Sequence, residues 1–113
     1  MKNDYFRDKN KTYQTYYKEK MLEKKFYANG QKIHELINDR LTYYFKNGKI
    51  KAEGPFVSGL MEGEWIFYRE SGQLWVIGNF RNGKKNGSWI RYDKNDKLEY
   101  QENFTDGKLI KKR

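Results

Sequence analysis

The chain has 113 residues, with 24 Lys and Arg against 15 Asp and Glu for a net charge of +9, no cysteine, and a hydrophobic fraction of 36% that is half Phe, Trp and Tyr. This length limits it to one domain, and the absence of cysteine excludes disulfides, thiolate nucleophiles and cysteine-based zinc sites. Few aliphatic side chains remain for a core, so the core is expected to be thin and built from aromatic rings, each burying roughly 150–250 Å².

From the N-terminus, residues 1–15 are polar and are expected to be frayed, while no apolar run approaches the roughly 20 residues that span a bilayer. The start lacks the apolar stretch of a secretory signal, so a cytoplasmic location is expected. Tyr13, Tyr16, Tyr17 and Met21 fit one face of a short helix, although a strand from Tyr16 agrees better with the repeat downstream. From residue 16 to 113 the chain reads as a repeat domain. Sliding it by 24 positions superimposes Gly48 on Gly72, Gly54 on Gly78, Gly59 on Gly83 and Gly107, and Gly63 on Gly87. Apolar positions follow the same step: Leu41, Trp65 and Trp89; Tyr44, Tyr68 and Tyr92; Ile50, Leu74 and Leu98; Phe56, Phe80 and Phe104.

Residues 16–40 read as a degenerate first unit, in which Tyr27-Ala-Asn-Gly30 imitates Phe80-Arg-Asn-Gly83 and about five extra residues precede the next unit. Regular units follow at 41–64, 65–88 and 89–113. Within each, apolar and polar residues alternate, as in Leu74, Val76, Gly78 and Phe80 against Gln73, Trp75, Ile77 and Asn79, which is the period of a strand. Asn47-Gly48, Ser71-Gly72, Asn82-Gly83, Asn86-Gly87 and Asp106-Gly107 supply the positive φ that tight turns need. The predicted fold is therefore all-β, an elongated, twisted antiparallel meander of successive hairpins. Gly54 and Gly78 fall inside strands, where a missing side chain lets a ring lie on the backbone; Trp65, Trp89, Tyr68 and Tyr92 are the candidate rings.

The run Tyr44-Phe-Lys-Asn-Gly-Lys-Ile-Lys-Ala-Glu-Gly54, then Phe56-Val-Ser-Gly59 and Gly63-Glu-Trp65, repeated from Tyr68 to Trp89, resembles the bacterial MORN-repeat variant. That family includes YwqK-like proteins labelled as antitoxins or immunity partners. The resemblance covers about residues 26–110 and implies a hairpin sheet and, through the family's labels, a toxin as protein partner. Two departures stand at the ends of the array: Ile37-Asn-Asp-Arg40 replaces a glycine-rich turn, and Asp96 and Glu102 replace glycines, as expected of terminal repeats that cap a stack.

Catalytic chemistry finds little support. His34 is the sole histidine, and its neighbour Glu35 points to the other strand face, so a structural or exposed role is expected. Ser58, Ser71 and Ser88 sit at or beside turn glycines; Glu62 and Glu64 form a carboxylate pair without a counterpart at Asn86 and Ser88. No phosphate loop, metal site or cofactor site is indicated, and no enzymatic activity is expected.

What remains is binding. Tyr43, Phe67, Trp75 and Ile77 are expected to be exposed on the face opposite the glycines, as a surface for a protein partner or as a second small core or dimer contact. Lys108, Lys111, Lys112 and Arg113 are candidate polyanion contacts, for anionic phospholipid or nucleic acid, or a solvated tail. Charge is concentrated at the ends: residues 1–25 hold eight basic and four acidic side chains, 108–113 hold four basic and none acidic, and 26–107 hold twelve against eleven. Protein binding is the leading expectation; polyanion binding and self-association through open sheet edges are the alternatives.

Overall fold

Turn residues with left-handed backbone set the connectivity. The computed structural model describes residues 25–112. Ten antiparallel strands form among them: β1 (His34–Ile37), β2 (Arg40–Tyr44), β3 (Ile50–Val57), β4 (Leu60–Met61), β5 (Gly63–Tyr68), β6 (Leu74–Arg81), β7 (Lys84–Lys85), β8 (Gly87–Tyr92), β9 (Leu98–Thr105) and β10 (Lys108–Lys112). They lie in the order β1-β2-β3-β5-β6-β8-β9-β10, with β4 folded back on β3 and β7 on β6. This is the open all-β meander expected from the spacing. The fraying of residues 1–15, the helix-or-strand choice at Tyr13–Met21, and Arg113 lie outside the described residues.

Two kinds of turn alternate along the sheet. Asn38-Asp39, Ser58-Gly59, Asn82-Gly83 and Asp106-Gly107 each have two consecutive positive φ angles, the two-residue hairpin geometry whose twist matches the strands. At the opposite end, Phe45 N–H donates to Lys49 O and Gly48 N–H to Phe45 O; Arg69–Gln73 and Asp93–Lys97 repeat both bonds. Asp96 takes the place of Gly48 and Gly72 there and keeps a positive φ of 62°.

Tyr27–Gln31 copies this second turn, with Tyr27 N–H on Gln31 O and Gly30 N–H on Tyr27 O. Gly30 is therefore in register with Gly48 rather than with Gly83, and it lies 18 positions before Gly48 where the later step is 24. The difference is a missing piece of hairpin. In later units the strand runs on into a small flap, Phe56 pairing Met61 and Val57 pairing Leu60, before the chain returns. β1 instead reverses at once through Asn38-Asp39, placing Leu36 opposite Leu41. Short polar groups of Asn and Asp tolerate the left-handed region that glycine usually supplies.

The core lies on one face of the sheet and consists of Leu41, Ala52, Phe56 and Trp65, with Leu36, Tyr43, Met61, Phe67 and Phe80 packed against it. Trp65 and Phe56 are 0% and 1% exposed. A Cβ built on Gly54 would come within 2.4 Å of the Trp65 ring, and one on Gly78 within 2.5 Å of Trp89. Each indole thus lies on bare backbone, as expected, and donates its N–H onward: Trp65 to Pro55 O and Trp89 to Asn79 O, both at 2.8 Å. Edge-to-face contacts of Phe80 with Trp65 and Trp89, and of Phe104 with Trp89, extend the aromatic chain across the units. Glu102 holds the glycine position in β9, opposite Trp89 in register. No later indole among the described residues lies on that backbone, so a side chain fits.

The other face carries tyrosine–carboxylate bonds one unit apart. Tyr44 donates to Glu35 at 3.0 Å and Tyr68 to Glu53 at 3.1 Å. Burial, and then the bond to the carboxylate, pushes both phenols above their ordinary value of 10.0. A raised folded pKa means this contribution to stability is complete below pH 10 and fades as pH rises through the folded value. Replacing both tyrosines by phenylalanine is therefore expected to flatten the loss of Tm above pH 10. An unchanged alkaline slope in thermal melts would contradict it.

Candidate functional site

A β-bulge in each long strand decides which side chains share a face. Tyr43 pairs Ala52 while Tyr44 pairs Ile50, so Lys51 is the extra residue. Phe67 pairs Val76 while Tyr68 pairs Leu74, so Trp75 is the extra residue one unit later. An inserted residue breaks the two-residue alternation and brings its side chain beside that of its neighbour. Lys51 and Trp75 consequently border the core face.

There a groove of about 330 Å³ opens between the second and third repeats. Tyr43, Phe45, Lys51, Trp65, Phe67 and Trp75 line it. Of the four aromatic and aliphatic residues expected on the face opposite the glycines, three are on the glycine face: Tyr43 and Phe67 because they follow Leu41 and Trp65 by two residues, and Trp75 because of its bulge. Only Ile77 takes the opposite face, between Ile66 and Ile90 in register. The groove thus gathers Tyr43, Phe67 and Trp75 into one surface and leaves Ile77 out of it.

Its rim is cationic. Lys51 Nζ stands 5.8 Å from the centre of the Phe45 ring, and the Arg69 guanidinium 5.4 Å from that of Trp75. Arg69 is fixed by donating from Nη2 to Tyr92 O at 3.1 Å. Such a cation braces an exposed ring at little cost in water. Trp75 is 36% exposed, and what marks the position in the repeat pattern is that its polarity varies, its counterparts Lys51 and Glu99 both being charged.

A second groove of about 180 Å³ lies one unit further on, bordered by Trp75, Val76, Lys85, Trp89, Arg91 and Tyr100, with Glu102. Arg91 Nε donates to Glu99 at 3.1 Å, and that bond raises the Arg91 pKa further. Lys85 Nζ sits over the rings of Trp89 and Phe104 at 4.6 and 4.8 Å.

The remaining candidates are structural. His34 is buried, meets Tyr43 edge-on at 5.9 Å, and its Nε2 has no hydrogen-bond partner among the described residues. Glu35 is engaged on the other face by Lys32 and Tyr44. Glu62 accepts the Asn82 backbone N–H at 2.9 Å, a bond repeated by Asn86 and Asp106, so it ties one turn to the next. Ser71 accepts the Gln73 backbone N–H, whereas Ser88 lies within β8. No group of His, Asp or Glu able to hold a metal ion occurs among the described residues. No described helix is long and apolar enough to cross a membrane.

The model of the MORN repeat variant matches residues 40–58, 61–82 and 85–106, more than half of the chain. The chain belongs to the MORN repeat variant family. The three matches fall on the three units that share the 24-residue step, and the first begins at Arg40, which leaves β1 of the shortened first hairpin outside them and β2 inside. MORN repeats are non-catalytic repeat modules that mediate binding to proteins or membrane lipids. No curated protein and no solved structure matches the chain.

Proposed function

We propose that this MORN-repeat chain is a non-enzymatic module that binds another protein through the aromatic grooves of its core face, and that the partner is a bacterial toxin whose activity it blocks in the cytoplasm. The observation that carries the reading is Trp75, a large ring left 36% exposed between two grooves and braced by Arg69. Tryptophan, with tyrosine and arginine, is enriched among the few residues that carry most of the energy of protein interfaces. The toxin as partner rests on the family resemblance.

Co-expression with toxic products of the neighbouring genes tests it. The chain is expected to rescue growth and to co-purify with the toxin, and Trp75→Ala to weaken the complex by about 2 kcal/mol, roughly thirty-fold in Kd. Rescue without a complex, or recovery of nucleic acid or lipid alone, would reverse the reading.

One observation favours polyanion binding as a second reading. The Gly107 N–H donates to Lys85 O, which sets Lys108 beside Lys84 and Lys85, all three exposed. The fold thereby adds two cations to the C-terminal Lys108 that its own segment does not supply. On this reading, affinity for single-stranded DNA or phosphatidylserine vesicles falls steeply with salt, the slope counting the displaced counterions. Flat binding between low and physiological salt would exclude it.

A further inference from the structure

The two grooves of the core face are related by the repeat, and the relation points to one kind of occupant. Shifting the first groove by 24 positions carries Ala52 to Val76, Trp65 to Trp89 and Lys51 to Trp75, all three of which border the second. The same shift carries Met61 to Lys85 and Phe67 to Arg91. The first groove is therefore followed, two strands along the sheet, by one that keeps its indole and carries Lys85 and Arg91 in place of Met61 and Phe67, while Trp75 takes the place of Lys51. Neighbouring strands are about 4.8 Å apart, so the grooves repeat at roughly 9.6 Å.

We propose that the paired grooves hold a linear segment of the partner in the polyproline-II conformation, running across the strands, with an apolar side chain in the first groove and a carboxylate three residues away at Lys85. This rests on the protein-binding reading and specifies its ligand. Three residues of polyproline II advance about 9.3 Å and return the side chain to the same face, which matches the groove spacing. A β-strand advances about 10 Å in three residues but turns the third side chain to the opposite face. A helix, about 10–12 Å across, has to ride over Trp75, which borders both grooves. Aromatic-lined grooves suit polyproline II because the segment enters already ordered.

Charge selects the acidic residue. Around the two grooves stand Lys51, Arg69, Lys85 and Arg91 against Glu99 and Glu102. Glu99 is taken by Arg91, and Glu102, which lines the second groove, also favours the charged form of Arg91, so Lys51, Arg69 and Lys85 keep the surroundings of the two grooves net positive. Lys51 and Lys85 have ring contacts and no ion pair among the described residues.

Selection of a random twelve-residue peptide library displayed on phage against the full chain tests the assignment. Selected peptides are expected to carry Pro or an aliphatic residue three positions from Asp or Glu. In fluorescence anisotropy their affinity should fall at least tenfold with Trp75→Ala, and selection on Lys85→Glu should exchange Asp and Glu for Lys and Arg. Thermal melts check that both variants fold, and Arg40→Ala, at an exposed site on the opposite face, should bind as the parent does. Absence of enriched peptides, a seven-residue helical spacing, or peptides that bind Trp75→Ala equally well would overturn the proposal. If the toxin complex still forms in any of those cases, the protein-binding reading stands and only this ligand is wrong.

Discussion

Gly78→Ala is expected to lower stability by about 2–3 kcal/mol, a loss of roughly 10–20 °C in Tm for a domain of this size, although it replaces glycine by a residue that strands accept more readily. The propensity argument alone gives the opposite sign, since glycine inside a strand is about 0.5–1 kcal/mol worse than alanine. Sterics decide it. The new methyl would stand 2.5 Å from Trp89 Cδ2 and Cε3, ring atoms of an indole whose N–H is fixed on Asn79 O. Gly107→Ala adds the same carbon into open space at φ +86° and meets only the left-handed backbone penalty, about 1–2 kcal/mol. The decisive measurement is a double-mutant cycle. In a Trp89→Ala background the obstruction is gone, and Gly78→Ala should become neutral or stabilising. Equal costs with and without Trp89, or a smaller loss than at Gly107, would show that the ring is not what the glycine accommodates.

The regular part of the fold is legible in the sequence because its cause is local. Positive-φ residues at fixed intervals specify hairpins, and a glycine recurring inside a strand betrays a ring pressed onto backbone. Two of the places where sequence and structure part share another origin, a loss of period where backbone geometry changes without a sequence mark; the faces of Tyr43 and Phe67, by contrast, follow from plain alternation after Leu41 and Trp65. Tyr-Ala-Asn-Gly and Phe-Arg-Asn-Gly look alike, which aligns Gly30 with Gly83, yet the hydrogen bonds of Gly30 are those of Gly48. The true offset of 18 positions hides from a search at 24, since a flap has been removed from between the turns. Counting by two from Gly78 puts Trp75 on the wrong face, because the count ignores the bulge. Bulge residues carry no consistent chemistry here, being Lys51, Trp75 and Glu99 in successive units.

The same bulge links fold to function. It lifts one residue per unit out of the alternation, so that the position is free to vary while the Trp–Gly stack beneath stays constant. Trp75 is therefore separable from the core: its removal should cost binding, whereas the indoles below it carry the sheet.

Trp65→Ala is expected to cost about 3–5 kcal/mol, the range for deleting a large buried ring, which is most of the stability of a small domain. Trp65 is 0% exposed and touches Tyr43, Phe67 and Phe80. It lies on Gly54 and pairs with Gly78, so two bare stretches of backbone would face the void and neither has a side chain to fill it. The Pro55 carbonyl is not orphaned, because the Glu62 N–H also donates to it at 3.1 Å. The cost is therefore one of packing, and Trp65→Phe should recover a large part of it. Trp89→Ala should cost less: its ring is 8% exposed, and Glu102, rather than a second glycine, stands opposite it. In an array whose units contact only their neighbours, loss of a central contact divides the stack, while loss near an end shortens it. Urea unfolding of Trp65→Ala should accordingly be less cooperative than that of Trp89→Ala. A Trp89→Ala variant as unstable as Trp65→Ala would place the mechanical centre of the sheet one unit further toward the C-terminus.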